Sequence, residues 1–149
     1  MGLFFHPVHM AMFFCFGLLF LIPAIFYLLT LQNALARCAP TSRTMEPGMV
    51  WLLIIPLVHL IFGFFVVIAL AKSLGNEFRL RGIPFPDPLP GQTIGMAMCI
   101  CACCSIIPII GFLAAPAAFV LWIIYWIKIA GFSRMLSYPP AAFPVPPAY

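Results

Sequence analysis

The chain has 149 residues, of which 65% are hydrophobic and 7% are charged. A soluble domain carries about a quarter charged residues, so these proportions exclude a water-soluble fold and point to a single membrane domain. The net charge of +4 comes from seven basic and three acidic side chains, too few and too scattered for a nucleic-acid surface, and no soluble substrate is implied.

Charged residues are confined to short clusters. Residues 1–36, 47–71 and 88–127 contain no Asp, Glu, Lys or Arg. Charge is costly in hydrocarbon, so runs of this length read as bilayer segments. The N-terminus lacks the basic start of a signal peptide, and its apolar run is longer than a cleaved one. Arg37 before Cys38 also sits where a lipoprotein cleavage box needs a small residue.

A helix crosses ~30 Å of hydrocarbon with about 20 apolar residues. The first span is expected over residues 8–31, with Pro23 as an internal kink. Gln32 to Cys38 would continue the helix to its end at Ala39-Pro40. Glu46-Pro47-Gly48 reads as a helix start, with proline in the first turn and an acid at the positive end of the helix dipole. The second span is then expected over 49–71, with Pro56 inside it. Leu70, Leu74 and Phe78 recur every fourth residue, which predicts an amphipathic extension of this helix. Glu77 and Arg81 form an i,i+4 pair within it, and Gly82 with Pro84 marks its stop.

Prolines at 84, 86, 88 and 90 predict a stiff extended linker. The charge-free run 88–127 is too long for one helix. A break at Pro108–Gly111 divides it into spans at 93–107 and 112–129. The fold class is therefore all-α, a four-helix integral membrane domain over residues 1–136, with a Pro-rich tail over 137–149. Three spans plus a re-entrant hairpin is the alternative. In the four-span reading both termini share one side with Lys72, Arg79, Arg81, Lys128 and Arg134, against Arg37 and Arg43 opposite. That bias places both termini in the cytoplasm.

His59 is the one ionisable side chain well inside a span, placed near the midplane by the 49–71 boundaries. An intramembrane ionisable group suggests a proton relay, a substrate contact or a cofactor ligand. The plainer reading is a neutral imidazole bonded to a carbonyl freed by Pro56. His6 and His9 lie at the cytoplasmic end of the first helix and His59 near the midplane, so they are not expected to share a haem. No cofactor and no metal are expected. Cys99, Cys101, Cys103 and Cys104 have ligand-like spacing but diverge on a helix. Gly95, Cys99 and Cys103 instead form a small-residue stripe for helix packing, as do Ala97, Cys101 and Ser105. No catalytic motif occurs, so the chain is not expected to be an enzyme.

Leu31-Gln-Asn-Ala-Leu-Ala-Arg-Cys-Ala-Pro40, Arg43-Thr-Met-Glu-Pro-Gly-Met-Val-Trp51, Ile54-Ile-Pro56, Ser73-Leu74, Glu77-Phe78 and Arg81-Gly82 form a fingerprint. With Ser105–Gly111 and Trp122–Gly131, it resembles a family of small multi-pass bacterial membrane proteins without an established activity. The resemblance covers about residues 28–134 and implies residence in the bacterial inner membrane. Its Arg37, Arg43 and Glu46 crowd one loop, where an ion-pair cluster is expected to fix the first helical hairpin. The leading functional expectation is a non-catalytic accessory or scaffolding subunit of a larger membrane complex. The alternatives are a small transporter or channel using His59, and a cofactor-binding electron-transfer or light-harvesting component.

Overall fold

The computed structural model describes residues 7–138, and among these the fold is all-helical. His6, the side chain of His9 and the tail from residue 139 onward lie outside the described residues. The elements in order are α1 (Pro7–Arg37), a 3-10 segment (Pro47–Ile54), α2 (Pro56–Leu80), α3 (Gln92–Cys104) and α4 (Pro108–Met135). Three stretches are long and apolar enough to cross a membrane: Leu18–Arg37, Val58–Leu80 and Ile109–Met135.

Two prolines act differently from expectation. Pro56 does not lie inside a helix; it begins one, after Ile55 adopts an extended backbone. The run expected as a single span over 49–71 is instead a 3-10 segment followed by the first part of α2. Pro108 likewise opens α4, and the break falls at residues 105–107. The physical reason is shared. Proline has no N–H to give and its φ is already helical, so the first turn is its favoured place.

The contacts fix the direction of every element. Along α1 and α4, Phe20 meets Phe119, Tyr27 meets Trp122, Trp126 bonds Thr30, and Arg37 bonds Ser133. The two helices therefore run parallel. The 3-10 segment runs back, from Thr44 beside Ala69 and Ser73 to Leu53 beside Gly63. α2 then returns alongside α1, so that Glu77 accepts the Ala39 N–H. α3 descends, with Gly91 against Ile129, Gly95 against Tyr125, and Ser105 against Gly111. α4 climbs again. Each later charge-free run is thus a hairpin that leaves one end of the bundle and comes back to it.

This corrects the expected alternation. Arg37 and Arg43 do not face away from Arg81 and Arg134; all four lie at one end. Arg37, Arg43, Glu77 and Arg81 are joined there through the ends of α1, α2 and α4. Among the described residues, the start of α1 lies at the opposite end of the bundle from the end of α4. The expected layout gave the 49–71 run a single crossing. A 3-10 segment rises ~2.0 Å per residue, so eight residues cover the return within a single run.

The amphipathic extension is continuous with α2, and its apolar face is internal: Leu70 and Leu74 are fully buried and Phe78 nearly so. α2 ends in the expected glycine cap. Gly82 has φ +65°, Ile83 N–H donates to the Phe78 carbonyl, and Gly82 N–H donates to that of Arg79.

The topology makes a labelling prediction. In a cysteine-free background, Thr41→Cys and Arg134→Cys, both exposed, will react with a membrane-impermeant maleimide from the same face. Labelling from opposite faces would restore the alternating arrangement.

Candidate functional site

The charged end is a lock on helix termini. α1, α2 and α4 all point their C-terminal carbonyls toward it, concentrating three negative dipole ends and several unpaired acceptors. Arginines fill these acceptors. Arg43 donates through Nε to the Cys38 carbonyl at 2.9 Å and through Nη2 to that of Ala36 at 2.7 Å. Arg37 donates to the Ser133 carbonyl at 2.5 Å and to the Ser137 hydroxyl. Arg81 donates to the carbonyls of Leu136 at 2.8 Å and Arg37 at 3.1 Å.

Glu77 holds this set together. It is 1% exposed. One carboxylate oxygen accepts from Arg81 Nε at 2.7 Å, and the other from the Ala39 N–H at 2.8 Å. The pair at i,i+4 is present as the spacing indicates. The expected cluster of Arg37, Arg43 and Glu46 is not. Glu46 is exposed and forms no ion pair among the described residues. Both arginines turn to backbone carbonyls, because the helix ends lie closer and offer fixed acceptors. Beside this lock, burial and the nearby Glu77 carboxylate push the Cys38 thiol up to about 12. It stays neutral, with Sγ 3.4 Å from the Ala34 carbonyl.

The small-residue stripe on α3 lies at a close crossing. A methyl at Gly95 would sit 2.5 Å from Val67 Cγ1 and 2.8 Å from Tyr125 Cε2. One turn on, Cys99 is buried and its Sγ packs beside Gly63 of α2. Cys103 is half-buried. No group of three or more His, Cys, Asp or Glu side chains converges as a metal site among the described residues.

His59 lies in the first turn of α2, not ten residues into a helix. At 1.5 Å per residue it is ~20 Å from Lys72, past the middle of a ~30 Å hydrocarbon layer that begins there. Its Nδ1 is 3.1 Å from the Leu53 carbonyl. A 3-10 helix would pair that carbonyl with the N–H of residue 56, and Pro56 has none. The imidazole supplies the missing donor, which places the proton on Nδ1 and leaves Nε2 as an acceptor.

His59 borders an apolar cavity of about 480 Å³. It lies where α1, which packs on α4 and the 3-10 segment, stands off from α3. Its aromatic walls are Phe20, Tyr27, Phe119 and Trp122. Its space comes from small side chains: Ala24, Ala102, Ser105, Ala115 and Ala118. Sequence reading passed over this cavity. The available signal was Ala114-Ala115-Pro116-Ala117-Ala118, a bulk-free stretch in the middle of an otherwise bulky helix. No charged residue lines the cavity, so its chemistry is binding through apolar contact and a few neutral polar groups.

No family model, no curated protein and no solved structure matches the chain.

Two stability measurements follow. Glu77→Ala strands Arg81 and the Ala39 N–H, and should cost about 3 kcal/mol in detergent unfolding. Glu46→Ala should stay within about 0.5 kcal/mol. Equal effects would remove Glu77 from its central place. Gly95→Ala should cost about 1–3 kcal/mol through overpacking. Gly131→Ala, with open space at that position, should be neutral or stabilising.

Proposed function

We propose that this is a non-catalytic integral membrane protein that serves as an accessory subunit of a larger complex in a bacterial inner membrane. The observation that carries this reading is the use made of charge. Glu77, Arg81, Arg37 and Arg43 spend their hydrogen bonds on helix ends. No carboxylate lines the cavity beside His59 for acid–base work, and the imidazole itself repairs the backbone at Pro56. A proton path through His59 lacks a second titratable group in the cavity wall apart from Tyr27 and Cys99.

α4 supports the partner side of the proposal. Only 17% of its apolar window is buried within the chain, against 50% for α2. Val120 and Ile127 stand outward on it. In this reading, part of that surface meets another membrane helix and the rest meets lipid. α3 is re-entrant: its 13 residues span ~20 Å, short of ~30 Å, and the turn after it exposes Ile106 and Ile107. The basic end faces the cytoplasm, because Arg37, Arg43 and Arg81 gather there at the end of α4 that carries Arg134.

Photo-crosslinking in native membranes tests the accessory role. Benzoylphenylalanine at Val120 or Ile127 should give one protein adduct of fixed mass, while Ile61 on α2 gives lipid adducts. Lipid adducts at every position, or a product of twice the chain's own mass, would overturn the proposal.

A further inference from the structure

The geometry points to the cavity as a binding site for a neutral, lipid-soluble molecule of the quinone class: a flat ring bearing carbonyl oxygens. The inference goes beyond the accessory role and does not depend on it. Three observations carry it. The first is an unused donor. Tyr27 is 6% exposed, and its hydroxyl has no hydrogen-bond partner among the described residues. No side-chain nitrogen or oxygen among the described residues is fully sealed off without a partner, and Tyr27 lines the cavity. A phenol left dry in an apolar site loses the bond it had with water. A ligand carbonyl restores it.

The second observation is an unused acceptor. His59 Nδ1 is held by the Leu53 carbonyl, so Nε2 keeps a free lone pair, and His59 is one of the residues lining the cavity. Nε2 suits a ligand hydroxyl, such as the one a quinone gains on reduction. The site thus offers one fixed donor and one fixed acceptor, with no charge that would select an ionised head group.

The third is shape. Phe20 and Tyr27 of α1 and Phe119 and Trp122 of α4 present aromatic faces and edges, with Tyr27 and Trp122 edge to face at 5.4 Å. Such walls favour a planar ring over a flexible chain. The volume lies in the range of small-molecule sites, ~300–1,000 Å³.

Trp122 is a built-in reporter. The full-length chain is placed in liposomes and titrated with decyl-ubiquinone, whose ring quenches tryptophan. The expected result is a saturable component of quenching, absent in Trp122→Phe. Tyr27→Phe should weaken the apparent affinity by about fivefold, the loss of one hydrogen bond. Ala118→Phe should abolish saturation by filling the space. Tyr27→Phe keeps the ring and the fold, so the proposal remains testable if Ala118→Phe fails to assemble. Purely linear collisional quenching would overturn the site. Equal saturation by 12-doxyl stearate would overturn the quinone class in favour of an acyl chain. Saturation unchanged in Tyr27→Phe would overturn the assigned donor.

Discussion

Three helices of this bundle end at the same place, and that convergence governs the rest of the structure. Parallel packing of α1, α2 and α4 stacks their negative ends together. Each end also carries carbonyls without intrahelical donors. Guanidinium groups answer both needs, since they bring positive charge and several donors in a fixed plane. Arg37, Arg43 and Arg81 each cap a terminus. Three arginines in one region repel, and Glu77, buried at their centre, offsets that while taking the Ala39 N–H. Charge gathers at this end because the helix ends require it there.

Concentrating charge at one end leaves the other end apolar, and the return segments follow from that. The 3-10 segment and α3 can turn back within a charge-free environment because their tips carry isoleucines and no charged residue: Ile54 and Ile55 in one, Ile106 and Ile107 in the other. Backbone polarity at these tips is handled locally. The imidazole of His59 bonds the carbonyl that Pro56 leaves open, and Ser105 Oγ donates to the Ala102 carbonyl at 2.6 Å. The cavity lies between these two repairs. Its space comes from alanines on α1, α3 and α4 that line it together.

Much of the local structure was legible. Leu70, Leu74 and Phe78 marked the buried face of α2 by spacing alone. Gly82 and Pro84 marked its end, and Glu77 with Arg81 announced their pair. The Gly95–Cys99 stripe pointed to close helix packing, and that is where α3 meets α2 and α4. Other features were hidden. Glu46 and Glu77 are both acids near arginines in a linear view. Only the return of α2 beside α1 makes Glu77 the buried partner and leaves Glu46 exposed. The cavity was hidden because its lining is drawn from five segments, and no one of them contributes more than a few small or aromatic residues.

By itself the sequence determined that the chain is a helical membrane protein, where α1 and α2 stop, and which face of the α2 extension is apolar. Those are local matters of charge cost, proline chemistry and residue period. It did not determine the direction of the helices. A proline in an apolar run can kink a span or start a new one, with no difference in composition. That choice rests on long-range bonds between residues such as Thr44 and Ser73, Ala39 and Glu77, and Arg37 and Ser133. Tertiary structure therefore decided the parallel topology, the single charged end and the cavity beside His59. Each depends on which helix end meets which arginine, and sequence spacing does not record that.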